Sequence, residues 1–142
     1  MNWLDMITAQ VTESKISAEA LSALVKSESA GAVVTFSGDV RNHDKGKLVT
    51  NLSYEIHPSA ANVIQKLANE VAAKHEVENV ATAHRYGVIP IGESAFVVAI
   101  ASAHRKAALA ACEELVERVK AELPIWKFQE FADGTTEWVN SA

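Results

Sequence analysis

Residues 95–103 read Ala95-Phe96-Val97-Val98-Ala99-Ile100-Ala101-Ser102-Ala103, nine positions with a single hydroxyl among them. A half-exposed strand alternates apolar and polar residues; a run this uniform predicts a strand buried on both faces, central in its sheet. Directly after it the period changes. From His104 to about Glu122, the residues Ala108, Ala111, Cys112, Leu115 and Val119 recur at helical spacing. Pro124 ends that helix, because the residue before a proline, here Leu123, is held out of the helical region. Ile125–Phe131 and Thr136–Val139 then read as two short strands turning at Asp133-Gly134.

Working back toward the N-terminus, Asn79–Tyr86 is a second strand, followed by a turn-rich connection over Gly87–Gly92. Pro58 suits the first turn of a helix whose stripe is Ala60, Ile64, Leu67 and Val71, running to about His75. Gly31–Val40 is β-branched and aromatic and reads as a buried strand, with Leu48–Ile56 as its return strand. Ser17 caps a short helix with Leu21, Leu24 and Val25 on one stripe, and residues 6–14 alternate weakly, as an edge strand does. Strands and helices intermixed with hairpins predict an α+β fold: one domain over residues 1–142, a mixed, mainly antiparallel sheet with packed helices.

Composition narrows the function. The chain has 142 residues, 49% hydrophobic and 22% charged, with a net charge of -5. A net-acidic chain is a poor general binder of nucleic acid, whose phosphates need a basic face. One cysteine, Cys112, excludes an internal disulfide framework or a multi-cysteine zinc site, and its place on the helical stripe marks it as core. His57, His75 and His84 are dispersed, with no metal-ligand spacing, so no metal is expected. No phosphate-binding glycine loop, dinucleotide fingerprint or serine elbow occurs, and no cofactor is expected. Trp3, Trp126 and Trp138 read as packing or interface groups. No apolar run is long enough to span a bilayer. Met1–Asp5 lacks the basic and apolar regions of a secretory leader, so the expected compartment is the cytoplasm.

The informative feature is where the positive charge sits. Arg41 and His43 follow the strand that ends at Val40; His104, Arg105 and Lys106 follow the strand that ends at Ala103. Cations in the first turn of a helix oppose its dipole, and sequences break such local preferences at functional sites. Free N–H groups reinforced by Arg and His would bind an anion, although a solvated turn accounts for them equally well. If the two strand ends share an edge of one sheet, Arg41, His104 and Arg105 converge. Lys120 sits off the buried stripe, where a favourable dipole interaction would explain it. Lys127 lies between large apolar residues in Ile125-Trp126-Lys127-Phe128, on the face of Ile125. Partial desolvation there would bring a lysine toward neutral-pH proton transfer, although the wet face of an edge strand explains Lys127 better when it is taken alone.

Three segments together make the chain resemble the large, catalytic subunits of molybdopterin synthase. They are Gly31–Gly38 running into Val40-Arg41-Asn42-His43; Ser102-Ala103-His104-Arg105; and Lys120 followed by Leu123-Pro124-Ile125-Trp126-Lys127. Tyr54-Glu55 and His84-Arg85-x-Gly87 fall in the matching order. The resemblance covers about residues 28 to 131 and implies an α/β hammerhead-type fold. It implies an enzyme that converts cyclic pyranopterin monophosphate into molybdopterin by installing two sulfurs as a dithiolene. The sulfur would come from the C-terminal Gly-Gly thiocarboxylate of a small ubiquitin-like partner subunit, and the assembly would be a homodimer within a heterotetramer. Lys120 and Lys127 would be catalytic. Arg41, His104 and Arg105 would bind the cyclic phosphate, with Asp39, Val40, Phe128 and Gln129 as further substrate contacts. Phe128 and Gln129 stand where the family often has a basic residue and a glutamate, and Asp39 where some members have a basic residue. Those departures support an alternative, a non-catalytic scaffold that binds the carrier protein.

Overall fold

The computed structural model describes residues 6–142; the readings of Met1–Asp5 and Trp3 fall outside it. The expected central strand is there. β7 (Ser94–Ser102) lies between β5 (Asn79–Arg85) and β2 (Ala32–Asp39), antiparallel to both, and β1 (Met6–Thr12) runs parallel to β5 as the far edge. Helix α1 (Ala18–Val25) covers one face, burying Leu21 and Val25 against Ala81, Ala83, Val97, Ala99 and Ala101. Ser17 caps it, accepting from the Ala20 N–H, whereas Leu24 faces outward. Helices α2 (Ala60–His75) and α3 (Arg105–Glu122) cover the other face. Every apolar residue expected on their two stripes is buried there. Full burial of a side chain such as Leu115 contributes roughly 1.5–3 kcal/mol.

The remaining strands form a second sheet rather than extending the first. β4 (Lys47–Ile56) pairs along one side with β8 (Ile125–Phe131), which pairs with β9 (Thr136–Val139). The other side of β4 carries two short strands, β3 (His43–Asp44) and β6 (Gly87–Val88). β4 is therefore not the partner of β2, as its alternation suggested. The inner face of this sheet, including Val49, Leu52, Tyr54, Ile125 and Phe131, shares one core with α2, α3 and the first sheet.

Two further expectations change. β2 alternates between half-buried and exposed residues because it is an edge strand, not a buried one. Antiparallel pairing of β2 with β7 sets Ala32 opposite Ser102 and Asp39 opposite Ser94. The end of one strand therefore lies beside the start of the other. Arg41 and His104 are carried beyond opposite ends of this pairing, which spans about 23 Å from Ala32 to Asp39 at 3.3 Å per residue.

Local chemistry fixes three corners. Gly31 leaves room for β7: a Cβ there would come within 2.8 Å of the Ala103 carbonyl oxygen. The β3–β4 hairpin turns on Lys45 and Gly46, both with positive φ (52° and 77°), the geometry of a two-residue hairpin. The step from α3 to β8 takes only Leu123 and Pro124; Leu123 N–H donates to the Val119 carbonyl and the Pro124 carbonyl accepts from His57 N–H.

Candidate active site

A pocket of about 310 Å³ opens where the two sheets meet, a size that suits a small ligand. Phe36 to Arg41 form one rim at the end of β2 (though not Ser37), and His43 and Asp44 of β3 continue it. Leu52, Tyr54, Lys127 and Gln129 line it from the second sheet, His84 and Phe96 from the first, and Lys120 from the last turn of α3. A register shift between Gly38 and Asp39 bends the rim, as bulges beside sites do. It leaves Asp39 accepting from the hydroxyls of Ser37 and Ser94, which hold its carboxyl below the usual range.

The two lysines arrive from different elements. Lys120 is exposed at the pocket mouth, and Lys127 is half-buried on the inner face of β8 with Ile125, Gln129 and Phe131. Among the described residues neither is ion-paired within 4.0 Å. Burial pushes the Lys127 amine below its ordinary value. The lysine is thus partly desolvated rather than on a wet edge face, and burial moves the group toward proton exchange at lower pH.

Arg41, Asp39, Val40, Lys120, Lys127 and Gln129 therefore share one pocket. His104, Arg105 and Phe128 do not line it. His104 and Arg105 are exposed at the start of α3, at the other end of the sheet. Phe128 lies on the outer face of β8, its ring 4.7 Å from that of Trp138. Gln129 is 3% exposed, and its amide donates to Asp44 (2.9 Å) and Glu137 (3.3 Å). Its hydrogens are occupied by the protein itself, so it braces the pocket wall rather than presenting a donor to a ligand.

Three lining residues escape a reading of the sequence as candidates. His84 follows the inward alternation Val80, Thr82, His84, and that period was the available signal. Its Nδ1 lies 2.8 Å from the Arg85 carbonyl, so Nδ1 carries the hydrogen and Nε2 is a bare acceptor. Tyr54 is held protonated by burial, its hydroxyl pushed up to about 12. Asp44 sits in a polar segment that looks like an ordinary loop. Cys112, by contrast, is buried core as expected, with its thiol pushed up to about 11. No cluster of His, Cys, Asp or Glu able to hold a metal occurs among the described residues, and none of their helices is long and apolar enough to cross a membrane.

Comparison with known proteins converges on one family. The family model described as MoaE protein matches residues 11–122. The molybdopterin synthase catalytic subunit of Rattus norvegicus is 40% identical over 130 residues, 91% of this chain and 65% of the rat protein. The chain thus spans about two thirds of that relative's length. The subunit of the same name from Bacillus subtilis is 39% identical over 131 residues, covering 92% of this chain and 83% of that protein. The crystal structure of molybdopterin synthase from Staphylococcus aureus superposes with a TM-score of 0.84 at 31% identity, over 98% of both chains. The α+β architecture and these likenesses agree: the chain belongs to the MoaE protein family.

Proposed function

We propose that this chain is the catalytic subunit of a molybdopterin synthase. It takes sulfur from the C-terminal thiocarboxylate of a small ubiquitin-like carrier and builds the dithiolene of molybdopterin on cyclic pyranopterin monophosphate. The observation that carries the reading is the convergence of Lys120 and Lys127 on one pocket, both free of ion pairs among the described residues. Charge develops on the acyl oxygen when water cleaves the thioester formed between carrier and substrate, freeing the carrier as a carboxylate, and the departing oxygen of the substrate requires a proton as the thiocarboxylate sulfur displaces it. An exposed ammonium at the mouth suits the first task, and a partly desolvated amine inside suits the second. Arg41, beside Lys127, supplies a cation for the cyclic phosphate. The name catalytic subunit, borne by the relatives, itself implies a second subunit. The reading places the enzyme in the cytoplasm and the site within a single domain.

The anion-binding role of His104 and Arg105 requires a second copy of the chain. Among the described residues β2 is an edge strand with a free side. Pairing two such edges antiparallel about a twofold axis would set the Arg41 end of one copy beside the Ala32 end of the other, next to that copy's His104. This geometry supports the homodimer. The scaffold alternative drew on Phe128 and Gln129, and it weakens because neither presents a free polar group to the pocket.

The test is turnover. With a thiocarboxylated carrier and the cyclic phosphate, the wild-type chain should form dithiolene. Lys120→Ala and Lys127→Ala should each lose at least about 100-fold in rate, the scale of a positioned proton-transfer group, while still binding the carrier. Carrier binding without any turnover by the wild type would favour the scaffold. Near-normal rates in both variants would remove the lysines from the mechanism.

A further inference from the structure

We propose that Asp44 is a positioning residue for this pocket: its carboxylate, anchored by Gln129, is the counter-charge shared by Arg41 and Lys127. The β3–β4 hairpin brings Asp44 over the inner face of β8. One carboxylate oxygen accepts from the buried Gln129 amide at 2.9 Å, and the other lies 3.5 Å from an Arg41 guanidinium nitrogen. Both oxygens are thereby oriented. Gln129 donates as well to Glu137, so a neutral amide stands between two acids and bonds to each. A carboxylate at position 129 would instead crowd three negative charges together.

Lys127 is faced from several elements. Asp44 and Glu137 favour its ammonium form, while Lys120 and Arg41 oppose it, as does burial. Tyr54 and His84, both uncharged, line the same pocket, as do Asp39, His43 and Ala142. Of the two acids, Glu137 is already engaged by Lys45 at 2.7 Å, and Asp44 exerts the larger pull. Without Asp44, three effects that discharge Lys127 would be opposed only by a carboxylate already bound elsewhere.

The inference rests on the synthase reading only for its catalytic meaning, so its test is independent of turnover. Amine-directed acylation of the full chain, followed across pH by peptide mass spectrometry, reports how much of Lys127 is free amine. Asp44→Asn keeps an oxygen for Gln129 and removes the charge. It should label Lys127 about threefold faster at a pH below the midpoint, the effect of a midpoint lowered by about half a unit. Gln129→Glu adds a charge and should slow labelling about threefold. Opposite shifts distinguish counter-charge from loosened structure, which would speed labelling in both. A Lys127 midpoint unmoved or raised in Asp44→Asn overturns the proposal. That variant decides the matter alone if thermal melting shows Gln129→Glu to be unfolded. A wild type without turnover would overturn the synthase reading and leave the labelling result standing.

Discussion

His84 is held between two rings, edge-to-face with Tyr54 at 4.9 Å and stacked on Phe96 at 5.5 Å, with 1% of its surface exposed. Burial, aided by the charge of Lys120, pushes the imidazole down to about 4. The unfolded chain takes up this proton near the ordinary value of 6.5. Between those two values the unfolded state holds more protons, so acidification favours unfolding. The contribution of neutral His84 is complete above about pH 6.5 and lost as pH falls toward 4, a total of about 3 kcal/mol. Denaturant midpoints measured from pH 7 to pH 4.5 should fall steeply in the wild type, and less in His84→Phe, which fills the same space without titrating. Equal slopes would place the acid sensitivity elsewhere. At this scale the sequence is readable where a residue's chemistry is local. Cys112 on its helical stripe announces a buried thiol, whereas Lys127 between apolar neighbours fits a wet edge face at least as well; Asp44 and Gln129 lie 85 positions apart, and no local pattern foretells their bond.

Among elements, β1 depends on a clamp. Buried Asn79 accepts from the Met6 N–H at 2.8 Å and donates to the Val25 carbonyl at 2.8 Å, tying the edge strand and the end of α1 to β5. Asn79→Ala leaves both backbone groups without that partner and should cost about 2 kcal/mol. Hydrogen exchange should quicken in β1 before β7, and uniform acceleration across the sheet would show that the clamp is not local. Helices were the most legible elements, because each must bury a stripe and the 3.6-residue period records it. β2 misled for a physical reason. Val33, Val34, Thr35 and Phe36 fit any pleated surface, buried or not, so composition identifies a strand without locating it in the sheet. Likewise the alternation of β4 reveals a one-sided strand but not its partner.

For the whole molecule, the decisive step is the division of strands into two sheets with the pocket between them. That division is long-range: β4 and β8 pair across some 70 residues, as Ile56 opposite Ile125 shows. The antiparallel β2–β7 register then separates Arg41 from His104 within one chain. If the homodimer completes the site, Lys127→Ala and Arg105→Ala should each be inactive alone yet recover on mixing. Random exchange makes half the dimers mixed, and each of these keeps one intact site, so roughly a quarter of wild-type activity should return. No recovery, with exchange shown by mass spectrometry, would place both residues in one chain's site or Arg105 outside it. The two-residue corner at Leu123-Pro124 has a consequence for how such chains can diverge. Side chains on a strand alternate faces, so inserting one residue between α3 and β8 would turn Lys127 outward and bring Phe128 in unless the strand re-registered. Length variation is cheap at the Lys45-Gly46 and Asp133-Gly134 tips, but at this corner an indel amounts to an active-site mutation.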